Sequence, residues 1–303
     1  MFFKKPSLVA GTICVIGGAG TLGQSLLSFM ELNDQWTFVF FVEKAIHACA
    51  LEASFQDHLV KNCTISFNRS SITEADTVVF LAGAKTSPSG SKNDLYHTNK
   101  LILSDYLPLL AGKKIILATN PCTQLGMYIE SQIDAFTISV GVNNDFNRAS
   151  YCDPSIDYIL GAHNANEQTY YDSSGEIVFD GFNDSENHYK HKLLQDQLVQ
   201  KNNYATLHQE LLKAEHLRWW KLQRYHSTTN ASAYSCAKSI VEVLKYLSGV
   251  STLKVHGEVK VSLQTGESLF IGLPLIGEAP YCTEETVNSF IMQRRGYYEK
   301  YRI

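Results

Sequence analysis

Cys14 to Gly23 reads CVIGGAGTLG, and Gly18-Ala19-Gly20-Thr21-Leu22-Gly23 within it fits GxGxxG. Glycines at this spacing let a main chain close around a pyrophosphate. Gly18 is expected to permit the tight turn, Gly20 to let the backbone approach the phosphates, and Gly23 to let the next helix pack on the sheet. The N-terminus of that helix, at Thr21 and Leu22, then faces the anion. Glu43 lies 20 residues beyond the last glycine and closes a second apolar run, FVFFVE. A carboxylate there accepts hydrogen bonds from a ribose diol and repels a 2′-phosphate. The combination predicts a site for NAD rather than NADP.

Four further islands carry polar chemistry. Val79 to Asn99 begins as a strand and becomes a loop with Pro88, Gly90, Lys85 and Lys92. Such a loop sits where ligands bind in α/β sheets and can close as a lid, or it is simply solvated. Ala118-Thr119-Asn120-Pro121 ends another apolar run; Asn120 either bonds a ligand through donor and acceptor or opens a turn. Asp145 and Arg148, in Asn144 to Arg148, share a helix face, as salt-bridged pairs also do. His163, in Leu160 to Asn164, is either structural or a proton carrier.

Alternating elements are needed to hold these islands. Strands are expected at Thr12–Ile16, Phe38–Val42, Cys63–Phe67, Thr77–Leu81, Lys114–Thr119 and Ala135–Val140. Helices are expected at Thr21–Leu32, Lys44–Leu59 and Leu95–Leu110. Strands alternating with helices predict an α/β fold with an N-terminal doubly wound parallel sheet of Rossmann type, over residues 1–142. Residues 143–303 read as a C-terminal α+β substrate domain. It has a hairpin around Ser173-Ser174-Gly175, a long helical stretch over His191–Arg224 and a helix over Ala233–Leu247. A strand pair at Lys254–Leu263 and Ser268–Ile271 and a terminal helix from Thr283 to Tyr301 complete it.

Composition narrows the classes. The 303 residues are 45% hydrophobic, enough for a sizeable core, and the net charge is −4. No Lys/Arg run suggests a nucleic-acid surface. No apolar stretch has the length of a membrane span, and no signal-type segment follows the first residues, so a cytoplasmic protein is expected. The seven cysteines are scattered without a CxxC pair, which argues against a zinc site or a disulfide frame. No metal is expected.

Taken in order, the islands resemble the L-lactate/malate dehydrogenase family. The similarity is strongest from Ile13 to Asn120. It recurs at Asp145–Arg148 and Gly161-Ala162-His163, and returns from Leu263 to Gly277. Its carriers include Val42-Glu43, Ala82-Gly83-Ala84 before the lid, Asp94-Leu95 and Asn99 after it, Asn120-Pro121, and Phe270-Ile271-Gly272-Leu273-Pro274. The resemblance implies NAD, a small 2-hydroxy or 2-oxo acid substrate, and a homodimer or homotetramer. It implies that His163 is the proton donor and acceptor, oriented and charged by Asp145. Arg148 would clamp the substrate carboxylate and Asn120 would contact substrate and nicotinamide ribose. Ala82 and Gly83 would join the glycine turn at the cofactor.

The chain departs from that family at several points. Lys92 stands where relatives carry a carbonyl-polarising lid arginine, and lysine lacks the planar fork. Thr86 takes the lid position that separates malate from lactate specificity, which points to a neutral substrate side chain. The interval from Asp145 to His163 is short, with Pro154 inside it, and leaves little room for the usual long helix. Asn164 follows His163 where glycine is usual. Two alternatives stay open. One is an NAD(H)-binding sensor or scaffold that has lost catalysis. The other is a sugar-nucleotide epimerase-type short-chain dehydrogenase, suggested by the YxxxK at Tyr96–Lys100, although that tyrosine comes early in the chain.

Overall fold

The apolar runs divide residue by residue between two layers. Ile13, Val15, Phe38, Phe40, Val79, Ile116 and Ile138 point into one core, and Cys14, Ile16, Phe41, Val78, Phe80, Ile115 and Leu117 into another. This is the two-residue period of strands covered on both faces. The computed structural model describes residues 11–30, 36–58, 60–84, 92–163, 167–182, 230–250, 254–263, 265–275 and 282–298.

Element order begins β1 (Gly11–Ile16), α1 (Thr21–Met30), β2 (Trp36–Phe41), α2 (Ala45–Asp57), β3 (Cys63–Ser66), α3 (Ser70–Glu74), β4 (Thr77–Phe80). It continues α4 (Lys92–Ser104), α5 (Leu107–Leu110), β5 (Lys114–Leu117), α6 (Cys122–Gln132), β6 (Phe136–Ser139), α7 (Gly141–Cys152). Then come β7 (Tyr158–Gly161), β8 (Gln168–Tyr171), β9 (Ile177–Asp180), α8 (Asn230–Leu247), β10 (His256–Ser262), β11 (Ser268–Pro274), α9 (Glu284–Gln293) and α10 (Arg295–Tyr298). The sheet order is β3-β2-β1-β4-β5-β6-β10-β11-β7-β8-β9. The first six strands are parallel in the doubly wound order; the remaining five attach antiparallel.

All six expected N-terminal strands form, each within a few residues of its expected bounds. The helix expected over Leu95–Leu110 is instead two, α4 and α5. Pro108 explains the break: it has no N–H to donate to the Ser104 carbonyl, and it sits in the first turn of α5. Helix α6 was hidden because Asn120-Pro121 reads as a turn; the helix starts directly behind Pro121. Helix α7 is twelve residues long because it starts at Gly141, ahead of the short Asp145-to-His163 interval, and the 142/143 division falls within its first turn. The expected hairpin is β8–β9, and the strand pair is β10–β11. Thr283 caps α9 by accepting the Thr286 N–H at 3.1 Å. The stretch His191–Arg224 lies outside the described residues.

Helix α8 returns from the C-terminal half to pack on α1. Its Ala237, Ile240, Val241 and Leu244 enter the same core as Leu26, Leu27 and Phe40. Trp36 fixes the end of that helix, donating to Ser248 Oγ at 3.0 Å. Phe40 is wholly buried beneath the glycine turn. Truncating such a ring to alanine costs about 3–5 kcal/mol.

Candidate active site

The glycine turn lies between β1 and α1, at the carboxyl end of the parallel sheet. The residue with positive φ is Gly17, at +83°, so Gly17 and not Gly18 makes the tight turn. A Cβ on Gly17 would also stand 2.4 Å from Ala82 N, where the chain leaves β4. Gly18 has a different duty: a Cβ there would meet the Phe40 ring at 2.2 Å. A Cβ on Gly23 would lie 2.0 Å from the Gly18 carbonyl oxygen, so α1 approaches its own leading turn as closely as glycine allows. At Gly20 the nearest atom to an added Cβ is Gly17 O at 3.4 Å. That side of the turn is open, with Thr21 and Leu22 opening α1 beside it, and the cradle fits a dinucleotide pyrophosphate.

Glu43 follows β2 and is about half exposed. Its Oε1 accepts from Arg69 Nη2 at 3.3 Å and from the Tyr106 hydroxyl at 3.1 Å. The Arg69 guanidinium also lies 5.5 Å from the Tyr106 ring centroid. Burial, followed by the Glu43 charge, pushes the Tyr106 phenol up to about 12, so it stays a donor. The acid is held in place facing solvent. Sequence reasoning missed Arg69, which places a cation beside that acid.

Asn120 follows β5 and is joined to Pro121 by a cis peptide bond. Its carbonyl oxygen accepts from Asn99 Nδ2 at 2.6 Å, while Asn99 Oδ1 accepts from Ala84 N at 2.7 Å. One buried amide on α4 thus ties the segment after β4 to the segment after β5. Thr119 Oγ1 donates to Ala82 O at 2.9 Å, and Gly83 lies against Thr119 and Asn99. Lys92 is the first residue of α4; its side chain lies outside the described residues, as do Lys85 and Thr86.

His163 and Asp145 come together from different elements. Asp145 is fully buried on α7, and His163 follows β7. His163 Nδ1 lies 2.7 Å from Asp145 Oδ2. A carboxylate only accepts, so Nδ1 carries the proton and Nε2 is the nitrogen turned away from Asp145. The ring rests on the start of α7, where a Cβ on Gly141 would be 2.4 Å from His163 Cγ. The side chain is 25% exposed, enough to meet a ligand from one side. Gln168 Nε2 donates to the same Asp145 oxygen at 2.7 Å, and the Tyr170 hydroxyl donates to Gln168 Oε1 at 2.7 Å. Arg148 lies on α7 one turn beyond Asp145, with its side chain outside the described residues.

Two buried groups behind the histidine were not singled out in the sequence. Glu258 on β10 accepts the His163 main-chain N–H at 2.8 Å. His256, two residues earlier, stacks on Phe146 with centroids 4.0 Å apart and receives the Ile159 N–H at 3.3 Å. Their alternation with Gly257 and Val259 reads as a solvent-facing edge. The strand is interior, and α6 and α7 cover that face. Among the described residues no cluster suits a metal ion, no helix is long and apolar enough to cross a membrane, and no disulfide joins the cysteines.

No family model matches the sequence, and no curated protein does. Solved structures match in fold over nearly the whole chain. Malate dehydrogenase of Cryptosporidium parvum aligns at 16% identity and a TM-score of 0.60, over 96% of this chain and 98% of its own. Lactate dehydrogenase of the same organism, complexed with lactic acid and nicotinamide adenine dinucleotide, aligns at 14% and 0.60, covering 97% and 98%. Lactate dehydrogenase from Eimeria maxima, with NADH and oxamate, aligns at 15% and 0.57, covering 99% and 96%. The chain has the fold of the lactate and malate dehydrogenases: a Rossmann sheet followed by a C-terminal α+β region.

Proposed function

We propose that the chain is a divergent member of the lactate/malate dehydrogenase family, an NAD-dependent enzyme interconverting a small 2-hydroxy acid and its 2-oxo acid. The observation that carries this reading is the contact of His163 Nδ1 with the buried Asp145 carboxylate. That pair is what a proton-transferring oxidoreductase needs.

Bound nicotinamide would supply or accept the hydride at substrate C2. Asp145 holds the imidazole in one tautomer and one orientation. His163 Nε2 then gives a proton to the carbonyl oxygen during reduction and recovers it from the hydroxyl during oxidation. By resemblance Arg148 would take the substrate carboxylate, for which a guanidinium fork is suited, and Asn120 would fix the substrate oxygen. By resemblance Lys92 would supply positive charge to the carbonyl, and Thr86 would be the residue that selects the substrate side chain. Glu43 would take the adenosine ribose, while Gly18, Gly20, Thr21, Leu22, Gly23, Ala82 and Gly83 would line the cofactor. The working form is a cytoplasmic homodimer or homotetramer.

NADH consumption over a panel of 2-oxo acids tests this directly, with His163→Ala as control. Turnover abolished in the control, and highest with a neutral side chain larger than methyl, is the expected result. Oxaloacetate as the best substrate would remove the Thr86 argument. NADH binding without turnover on any acid would replace the enzyme with a sensor of the same fold.

A further inference from the structure

Glu258 is a fully buried carboxylate at the seam of the sheet, paired across to Ser139 of β6 and Gly272 of β11. Gly272 in turn pairs with Gly161, two residues before His163. Four groups donate to Glu258. Oε1 accepts from Thr123 Oγ1 and from His163 N at 2.8 Å; Oε2 accepts from Ser139 Oγ at 2.7 Å and Cys122 Sγ at 3.5 Å. Cys122 and Thr123 are the first residues of α6, directly after Asn120-Pro121.

We propose that Glu258 is a positioning residue for His163, holding its main chain against the start of α6 so that both walls of the site keep one spacing. The inference rests on the dehydrogenase reading only in naming His163 the proton carrier. The geometry is unusual for a residue with no solvent contact. A carboxylate is costly to bury and is retained where each oxygen is satisfied. The α6 N-terminus adds favourable field. Burial pushes the Glu258 carboxyl up, and His163, Ser139 and Thr123 act the other way. Of these donors only the His163 N–H cannot reverse its role, since hydroxyls can also accept. That bond therefore survives in either charge state of Glu258, and it is the one that sets the histidine.

NMR of the protein without substrate or cofactor tests this. The His163 Nδ1–H, bonded to Asp145, should give a low-field proton signal that disappears in His163→Gln. In Glu258→Leu that signal should shift or vanish. In Glu258→Gln, whose carbonyl can still accept the His163 N–H, it should persist. Where turnover is measurable, kcat should fall at least tenfold in Glu258→Leu with the NADH Kd unchanged. A folded Glu258→Leu protein with an unmoved signal overturns the proposal, and so does loss of the signal in a folded Glu258→Gln. Should Glu258→Leu not fold, wild-type hydrogen exchange decides. A protected, low-field His163 amide supports the bond, and a rapidly exchanging one overturns it. Failure of the dehydrogenase reading would appear separately, as wild-type protein that shows the His163 signal and turns over none of the 2-oxo acids.

Discussion

The Gln168 amide donates to Asp145 Oδ2 at 2.7 Å, the same oxygen that His163 Nδ1 meets. Gln168 is itself oriented by the Tyr170 hydroxyl. The carboxylate is therefore held from a second side, and its angle to the imidazole is set by β8 as well as α7. Gln168→Leu removes both buried hydrogen bonds of that side chain. The expected cost is about 1–3 kcal/mol of stability, read from urea unfolding. Turnover should fall while NADH binding stays as in the wild type. An enzyme with unaltered kcat would show that Asp145 needs no second donor.

The glycine turn separates folding from binding at neighbouring positions. Gly23→Ala places a Cβ against the Gly18 carbonyl, and a Tm loss corresponding to about 1–3 kcal/mol is expected. Gly20→Ala meets only Gly17 O at 3.4 Å and should fold with little change in Tm. Its methyl would occupy the space for the pyrophosphate, and NADH affinity should drop about tenfold or more, about 1.4 kcal/mol. Unaltered affinity in Gly20→Ala would move the phosphates elsewhere.

Arg69 partly offsets the Glu43 charge, where the proposed reading puts the adenosine ribose. Both groups are exposed, so the effect belongs to cofactor choice and not to stability. Glu43→Gln should narrow the ratio of NADH to NADPH affinity, by about tenfold. Arg69→Ala should widen it, because the carboxylate then faces a 2′-phosphate without its guanidinium. Quenching of protein fluorescence by each dinucleotide gives both ratios. Equal ratios in all three proteins would place the ribose away from Glu43.

His256 is one source of acid sensitivity. Burial, with a smaller contribution from Lys254, pushes its imidazole down to about 3 from 6.5. The unfolded chain takes up that proton near pH 6.5 and the folded chain does not. Acid therefore favours unfolding between pH 6.5 and about 3, by up to about 1.4 kcal/mol per unit. Above pH 6.5 the group is neutral in both states and contributes no slope. Urea unfolding at pH 7.5 and pH 5 should differ by about 2 kcal/mol from this residue. His256→Gln keeps an acceptor for Ile159 N–H and should flatten that difference. The same slope in the variant would assign acid lability to other groups.

The parallel half was legible because its signals are local. Alternation in Ile13-Cys14-Val15-Ile16 and the spacing from Gly18 to Glu43 depend on a few neighbouring residues. The tight turn was misplaced by one position, since which glycine takes φ > 0 depends on the close pass of Ala82 beside Gly17. Asp145 and His163 could be named through resemblance, but their contact spans two elements that no periodicity joins. Glu258 could not be found, since its partners Thr123, Ser139 and His163 are 135, 119 and 95 residues away in sequence. A buried carboxylate on an interior strand and an exposed one on an edge have the same local pattern.

The meeting of Glu258 with Ser139 also orders the assembly of the molecule. The six parallel strands are complete by residue 139, and they end on β6 with an open edge. That edge is closed by β10, which must travel back across more than a hundred residues of chain. Contacts of such long range form late, because loop closure precedes their reward. A nascent chain thus has its glycine turn long before its histidine is seated. Until β10 arrives, β6 is an unpaired strand edge of the kind that invites association between chains. The strand that carries Glu258 is also the one that ends this exposure.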